Sequence, residues 1–268
     1  MASILQRADY FRHYAQTDNH YHDCHEIIYV TKGSVQFKIS NTELTATQGN
    51  LIIFSRFEQH AVTAQTEDYQ RYVLLVDHHI PVDNRNNAKI FSILFNRPQR
   101  FQNVLDCAGC QSALQTIFVQ IVREFVDSAL LREEMLVLLM QELLVWVYRQ
   151  FPDIFSVFEQ NSFETIQQIQ RQLETHYEQR FTLAELAEAY TLSASHLSHL
   201  FKQVTGSSVM VYLQSCRIAA AKKYLVETSL EIGQIIEACG FTDASNFSRT
   251  FRQQVGCSPT QFRSIYRE

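Results

Sequence analysis

The chain has 268 residues, 46% hydrophobic and 12% aromatic, which is enough apolar material for one large domain or two of ordinary size. No run approaches the roughly 18 consecutive apolar residues of a membrane helix, and the start, MASILQRADYFRHY, lacks the apolar core of a signal peptide. Lys and Arg total 23 against 28 Asp and Glu, a formal net charge of −5, so no overall basic field is available to attract a polyanion. The six cysteines are scattered, a pattern expected of reduced thiols in a cytoplasm. The lone CxxC spacing, Cys107 to Cys110, reads as ordinary free thiols sooner than as a zinc or redox pair.

The first ninety residues alternate in period two. Glu26-Ile-Ile-Tyr-Val30 runs into a turn at Thr31-Lys32-Gly33, and Val35, Phe37 and Ile39 then alternate with polar neighbours up to Asn41-Thr42. Leu51-Ile-Ile-Phe54 follows Gly49-Asn50, and Tyr72-Val-Leu-Leu-Val76 closes the series. Short strands with frequent turn signals predict an all-β barrel or sandwich. His78-His79, just past the last strand, read as exposed or capping residues.

From about Cys110 the period becomes helical. Leu114, Ile117, Phe118, Ile121, Val122 and Phe125 define one helix, and Leu130, Leu131, Met135, Leu138, Leu139, Leu143, Leu144 and Val147 a second. The apolar residues of the second spread beyond one stripe, so it is expected to touch two partners. The stretch from Arg149 to Ser162, with Pro152 inside it, breaks the pattern and reads as a linker.

The last third contains an internal repeat. Leu183-Ala-Glu-Leu-Ala-Glu-Ala-Tyr190 matches Ile232-Gly-Gln-Ile-Ile-Glu-Ala-Cys239, an offset of 232 − 183 = 49. After one inserted residue, Ser195-His-Leu-Ser-His-Leu-Phe-Lys-Gln203 matches Ser245-Asn-Phe-Ser-Arg-Thr-Phe-Arg-Gln253, and Gly206 and Tyr212 answer Gly256 and Phe262. Each copy reads as helix, short turn, helix. Thr182-x-x-Glu185 is a capping box, Gly240 suits a left-handed C-cap, Ser193 and Asp243 can cap the second helices, and Ser258-Pro259 starts a final one. Leu197, Leu200 and Phe201, like Phe247 and Phe251, pin each second helix down. Ser195, Ser198, His199 and Lys202 are left on one open face, and Ser245, Asn246, Arg249 and Arg252 on the other. Such short polar and basic side chains can read base edges and phosphates of double-stranded DNA from a helix in the major groove. From Asn161 onward there are ten basic and ten acidic residues, so affinity must rest on local placement.

With the segment Gly240-Phe241-Thr-Asp-Ala-Ser245-Asn-Phe247-Ser-Arg249-Thr-Phe251 through Gly256-Cys-Ser-Pro259-Thr-Gln-Phe262-Arg263, residues 164–268 resemble the tandem helix-turn-helix domain of AraC/XylS regulators. The resemblance implies base contacts from Ser195, Ser198 and His199 in the first unit, and from Ala244, Ser245, Asn246 and Arg249 in the second. It also implies a sensor domain ahead of the DNA reader and RNA polymerase as a partner.

That sensor half resembles a cupin barrel. His20-x-His22-x-x-x-Glu26, six residues, then Gly33 has the spacing of the first cupin motif, and His60 stands where the second supplies a histidine. Ser55-Arg56-Phe57 replaces the Pro-x-Gly of that second motif. His20, His22 and Glu26 share strand parity, so all three can face inward if no bulge intervenes. Three readings stay open: a catalytic divalent metal, an effector site with or without metal, or histidines satisfied within the barrel.

The expected fold class is α+β. Residues 1–105 would form a cupin-like barrel, 106–150 a helical pair with a candidate homodimer helix, 151–163 a linker, and 164–268 an all-α DNA reader. The expected function is a DNA-binding transcription regulator, an activator controlled by a small molecule such as a sugar. The effector would be held by His20, His22, Glu26, His60 and Tyr29, the first, second, third and fourth of these doubling as metal ligands. The alternative is a metal-dependent cupin enzyme fused to a DNA-binding domain.

Overall fold

In the computed structural model, residues 3–12, 16–39, 42–77, 90–94, 101–152 and 160–267 are described, and the chain divides into two compact units, Met1–Ser156 and Val157–Glu268. His78-His79, Asn41 and most of the expected linker lie outside the described residues. No helix among the described residues is long and apolar enough to cross a membrane.

Among the described residues of the first unit, nine strands make two antiparallel sheets. One holds β1 (Leu5–Phe11), β8 (Gln70–Val76), β3 (His25–Lys32), β6 (Asn50–Phe54) and β9 (Val104–Asp106) in that order. The other holds β2 (Thr17–His20), β7 (His60–Ala64), β4 (Ser34–Ile39) and β5 (Thr42–Thr47). Ile28, Val30, Ile52, Phe54 and Val73 from the first sheet interleave with Val35, Phe37, Ala46 and Val62 from the second to form the core. The expected barrel is therefore two separate sheets packed face to face. Strand β3 explains the difference between its sequence and a half-exposed strand. Residues 25–30 are all buried, because a second layer covers the outer face of its sheet. That layer is helix α1 (Gln111–Val126), whose Phe118 ring stacks on Tyr29 at 5.2 Å and on Tyr72 at 5.5 Å.

Helix α2 (Arg132–Gln150) buries Leu136, Met140, Leu143, Leu144 and Val147. Its two-sided pattern is real, but the second side faces outward: Leu131, Met135 and Leu138 are 63%, 44% and 59% exposed, and Leu130 is 92% exposed. They recur at i, i+4 and i+7, one stripe of a helix.

The second unit begins with α3 (Gln160–Thr175), which starts inside the segment read as a linker. Then come α4 (Leu183–Ala189), α5 (Ala194–Thr205), α6 (Val209–Glu227), α7 (Ile232–Ala238), α8 (Ala244–Val255) and α9 (Pro259–Tyr266). Every cap read from the repeat is formed. Thr182 and Glu185 close a capping box, Ser193 accepts from His196 N–H, and Asp243 accepts from the N–H groups of Ser245 and Asn246. Ser258 and Gln261 close another box around Pro259. Each α4- or α7-type helix ends identically, Leu192 N–H donating to Ala187 O at 2.8 Å and Phe241 N–H to Ile236 O at 3.0 Å. The inserted residue of the second copy, Thr242, therefore falls in the turn, before the cap. Phe247 and Phe251 are fully buried against Ile218, Ala221 and Leu225 of α6, each worth about 1.5–3 kcal/mol of burial.

Candidate functional site

Strand β2 ends at His20, whose partner across the four-stranded sheet is His60, the first residue of β7. Their rings lie 4.5 Å apart between centroids. Residues 21–24 carry the chain out of that sheet, and β3 enters the other one at His25. Glu26 pairs with Phe54 of β6 and, two and four residues before Ile28 and Val30, faces inward with them. His20, His22 and Glu26 thus do not share one strand face. They meet where the chain crosses between sheets, and the crossing folds His22 back toward Glu26, Nε2 to Oε2 3.5 Å. From across the core His60 Nε2 approaches the same Oε2 at 3.1 Å. One ring nitrogen from each of His20, His22 and His60 lies within 4.8 Å of the others. The Phe54 ring stacks on His60 at 4.0 Å, only 3° from parallel, and fixes its plane.

Burial pushes the Glu26 carboxyl up, but the His60 contact and the charges of His60, His22 and His20 outweigh it and hold the group below its ordinary value. Glu26 is therefore a buried carboxylate. Cys24, inside the same cluster, is different: burial, with Glu26 and Asp23 nearby, pushes its thiol to about 12, so it stays protonated. Burial likewise pushes Cys107 of the CxxC pair to about 12, far from the poise of a reactive thiolate.

Tyr29 does not join the site. It lies three residues from Glu26, hence on the opposite face of β3, where its ring stacks on Phe118 and its hydroxyl donates to Gln111 O at 3.4 Å. The sequence reading missed a supporting shell. The loop before His60 keeps a glycine-like bend without glycine, because Phe57 adopts φ 63°. Its N–H donates to His22 O at 3.0 Å, and the Arg56 guanidinium lies over its ring at 4.4 Å. Arg56 Nε donates to Asp23 at 2.6 Å, and Arg56 N–H to His25 Nδ1 at 3.2 Å. Glu58 accepts from Ser55 N–H at 2.8 Å and from Asn103 Nδ2 at 3.0 Å. The spacing Ser55-x-x-Glu58 was a readable signal for that turn.

In the second unit the residues singled out on α5 and α8 stand clear of the core. Ser195, His199, Lys202, Ala244, Ser245, Arg249 and Arg252 are exposed, and Ser198 and Asn246 half-buried. The opposite faces bury Leu197, Leu200, Phe201 and Val204, and Phe247, Thr250 and Phe251. Arg249 Nη2 donates to Asn246 Oδ1 at 3.2 Å, one turn earlier. The sequence reading overlooked Ser248, exposed at the register position of Ser198. Two such faces on repeated helix-turn-helix units define a DNA-binding protein.

Comparison with known proteins gives the same division. The model of an AraC-like ligand binding domain matches residues 2–139, and that of a helix-turn-helix domain residues 186–265. The chain belongs to the AraC family of transcription regulators. It is similar to the arabinose operon regulatory protein of Escherichia coli, 40% identical over 84 residues, 31% of this chain and 29% of that protein. It also resembles the bifunctional transcriptional activator/DNA repair enzyme AdaA of Bacillus subtilis, 31% identical over 102 residues, 38% of this chain and 48% of that one. The chain thus spans half or less of these relatives. The HTH-type regulator YisR of Bacillus subtilis is 24% identical over 250 residues, 90% of this chain and 85% of that protein. Among solved structures, ToxT of Vibrio cholerae shares the fold with a TM-score of 0.64 over 97% of both chains, at 12% identity.

Proposed function

We propose that this chain is an activator whose grip on double-stranded DNA is set by a small polar effector, with a sugar or related metabolite as the class. The effector would sit against His20, His22, Glu26 and His60 in residues 1–105, residues 106–150 would pair two chains, and 164–268 would read the operator. The observation that carries this reading is the repetition of long basic or nitrogen-bearing side chains on two register-equivalent open faces, Lys202 with Arg252 and His199 with Arg249. A helical array that only bound protein would have no reason to repeat them. Imidazoles and a carboxylate in a half-open site suit a hydroxyl-rich ligand. To act, the ligand must bind two arrangements of the chain with different affinity, for otherwise it shifts no equilibrium. Assigning catalysis to this site would add a reaction that the regulator role does not need, so the fused-enzyme alternative is set aside.

The test is operator binding and transcription in vitro with RNA polymerase, with and without candidate sugars. An active effector is expected to raise transcript yield. His22→Ala, a half-exposed position, should abolish that response while effector-free operator binding is retained. Absence of sequence-selective DNA binding at moderate salt, under every effector condition, would overturn the reading.

The stripe of Leu131, Met135 and Leu138 on α2 supports a homodimer, because an exposed apolar stripe gains most by covering itself. Two chains would bring four reading helices to the DNA and offset the neutral charge of each reader. Light scattering at micromolar concentration should give a dimer mass for the wild type and a monomer mass for Met135→Lys/Leu138→Lys. A monomeric wild type rules the helix out as a dimer element.

A further inference from the structure

Strand β8 sends Val73 and Leu75 into the space between the two sheets, so Arg71, two residues earlier, is aimed there as well. Its cross-strand partners agree. Phe11 of β1 and Val30 of β3 stand directly opposite Arg71, and both pack with that core. The guanidinium carbon lies 4.8 Å from the centroid of the Phe11 ring and 5.0 Å from that of the fully buried Tyr69. The histidine cluster is elsewhere. Along β3, Val30 is four residues beyond Glu26, or about 13 Å at ~3.3 Å per residue.

Two aromatic rings offset part of the cost of burying this charge, but they leave its N–H edge without a strong acceptor. Arg71 Nη1 is buried and has no hydrogen-bond partner among the described residues. A charged donor left in that state destabilises the fold more than a neutral one would. Carboxylates of adjoining segments are engaged with other cations, Asp9 with Arg7 and Asp68 with Lys32 at 3.5 Å. A second polar atom faces the same space from the other sheet. Thr17 of β2 pairs with the core residue Val62 of β7, so its side chain points inward. Its Oγ1 is also buried with no hydrogen-bond partner among the described residues.

A guanidinium is a permanent cation whose fork of N–H donors matches the two oxygens of a carboxylate. One cation balances one negative charge, whereas a phosphate dianion would bring uncompensated charge into the interior. The rings of Phe11 and Tyr69 supply apolar walls for the rest of such a molecule. We propose that Arg71, with Thr17, Phe11 and Tyr69, forms a second ligand subsite of the first unit, one that takes the carboxylate of a small organic acid. Control of operator binding by that acid rests on the function proposed above; the subsite itself does not.

The full chain is titrated calorimetrically with hexanoate, gluconate and phenylacetate, each set against its uncharged amide, and with inorganic phosphate. Saturable binding of at least one acid, one per chain, is expected, without binding of its amide. Arg71→Met removes the charge and should weaken that binding at least ~30-fold, as truncating one side of a buried charge pair does. Its melting temperature without ligand should equal or exceed that of the wild type, because an apolar side chain replaces an unpaired buried charge. Arg71→Lys keeps the charge without the fork and should lose most of the affinity. A lowered melting temperature for ligand-free Arg71→Met makes Arg71 a structural residue and overturns the subsite. So does failure of all three acids to bind, equal binding of an acid and its amide, binding of phosphate alone, or an Arg71→Met chain that binds as the wild type does. If an acid binds through Arg71 but leaves operator binding unchanged, the subsite stands and control by that acid fails. If no acid binds yet a sugar alters operator binding, the subsite fails and the regulator reading stands.

Discussion

Gly240→Ala is expected to cost about 3–5 kcal/mol, enough to lower the melting temperature of the DNA-binding unit by roughly 15–25 °C. Two effects add. The residue has φ 74°, where a Cβ alone costs about 1–2 kcal/mol. The new Cβ would also stand 2.4 Å from Glu178 O and 2.8 Å from Glu178 Cα, and backbone atoms cannot swing aside as a side-chain tip can. The segment they belong to is itself held, since Arg217 donates to Tyr177 O and Gln179 O at 2.8 Å each. Gly256→Ala is the control. It has φ 85° but nothing within 4 Å of its Cβ direction, so only the conformational term of about 1–2 kcal/mol applies. Thermal unfolding of the full chain separates the two, and equal losses at both positions would remove close packing on Glu178 from the explanation. The first copy bears on the same point. Thr191 occupies the position of Gly240 at φ 55°, a β-branched residue in left-handed backbone, so the repeat tolerates the conformation itself.

The second unit was legible because its signals are local. Caps at Thr182, Ser193, Asp243 and Ser258 depend on side chains reaching backbone groups two or three residues away, and the repeat supplied each one twice. The first unit was legible only in part. Strands β1, β2 and β5 read LQRADYF, TDNH and TELTAT, too polar to announce themselves, and their pairing with β8, β7 and β4 is long-range information. The convergence of His20, His22 and Glu26 was expected from parity on one strand, yet it arises from a crossing between sheets. Parity was the right tool for Tyr29, three residues from Glu26 and so on the other face. The phenol of Tyr29 suits a polar site chemically, but its ring packs on Phe118 on the far side of β3. The loop of Ser55, Arg56 and Phe57 was legible as a departure from the cupin pattern. That Phe57 would supply the left-handed bend itself, fixed by Arg56 and by His22 O, required coordinates.

Arg249→Ala is expected to weaken operator binding about 10- to 100-fold, or roughly 1–3 kcal/mol, and to relax base preference at one position. The argument runs from charge to geometry. The DNA-binding unit is electrically neutral by sequence, so each cation that reaches the duplex carries a large share of the attraction. Arg249 lies exposed on α8, and its bond to Asn246 Oδ1 holds the guanidinium over that face before DNA arrives, which reduces the entropy lost on binding. A guanidinium so presented can take both acceptors of a guanine edge. Lys202 and Arg252, one in the last turn of each reading helix, are better placed to hold phosphates. Substituting either should weaken binding to all sequences alike and reduce the salt dependence by about one counterion. Fluorescence anisotropy with operator and scrambled duplexes, at several salt concentrations, reads both quantities. If Arg249→Ala lowers affinity for the two duplexes equally and flattens the salt slope, Arg249 is a phosphate contact, and sequence selection on α8 must come from Ser245, Asn246 and Ser248.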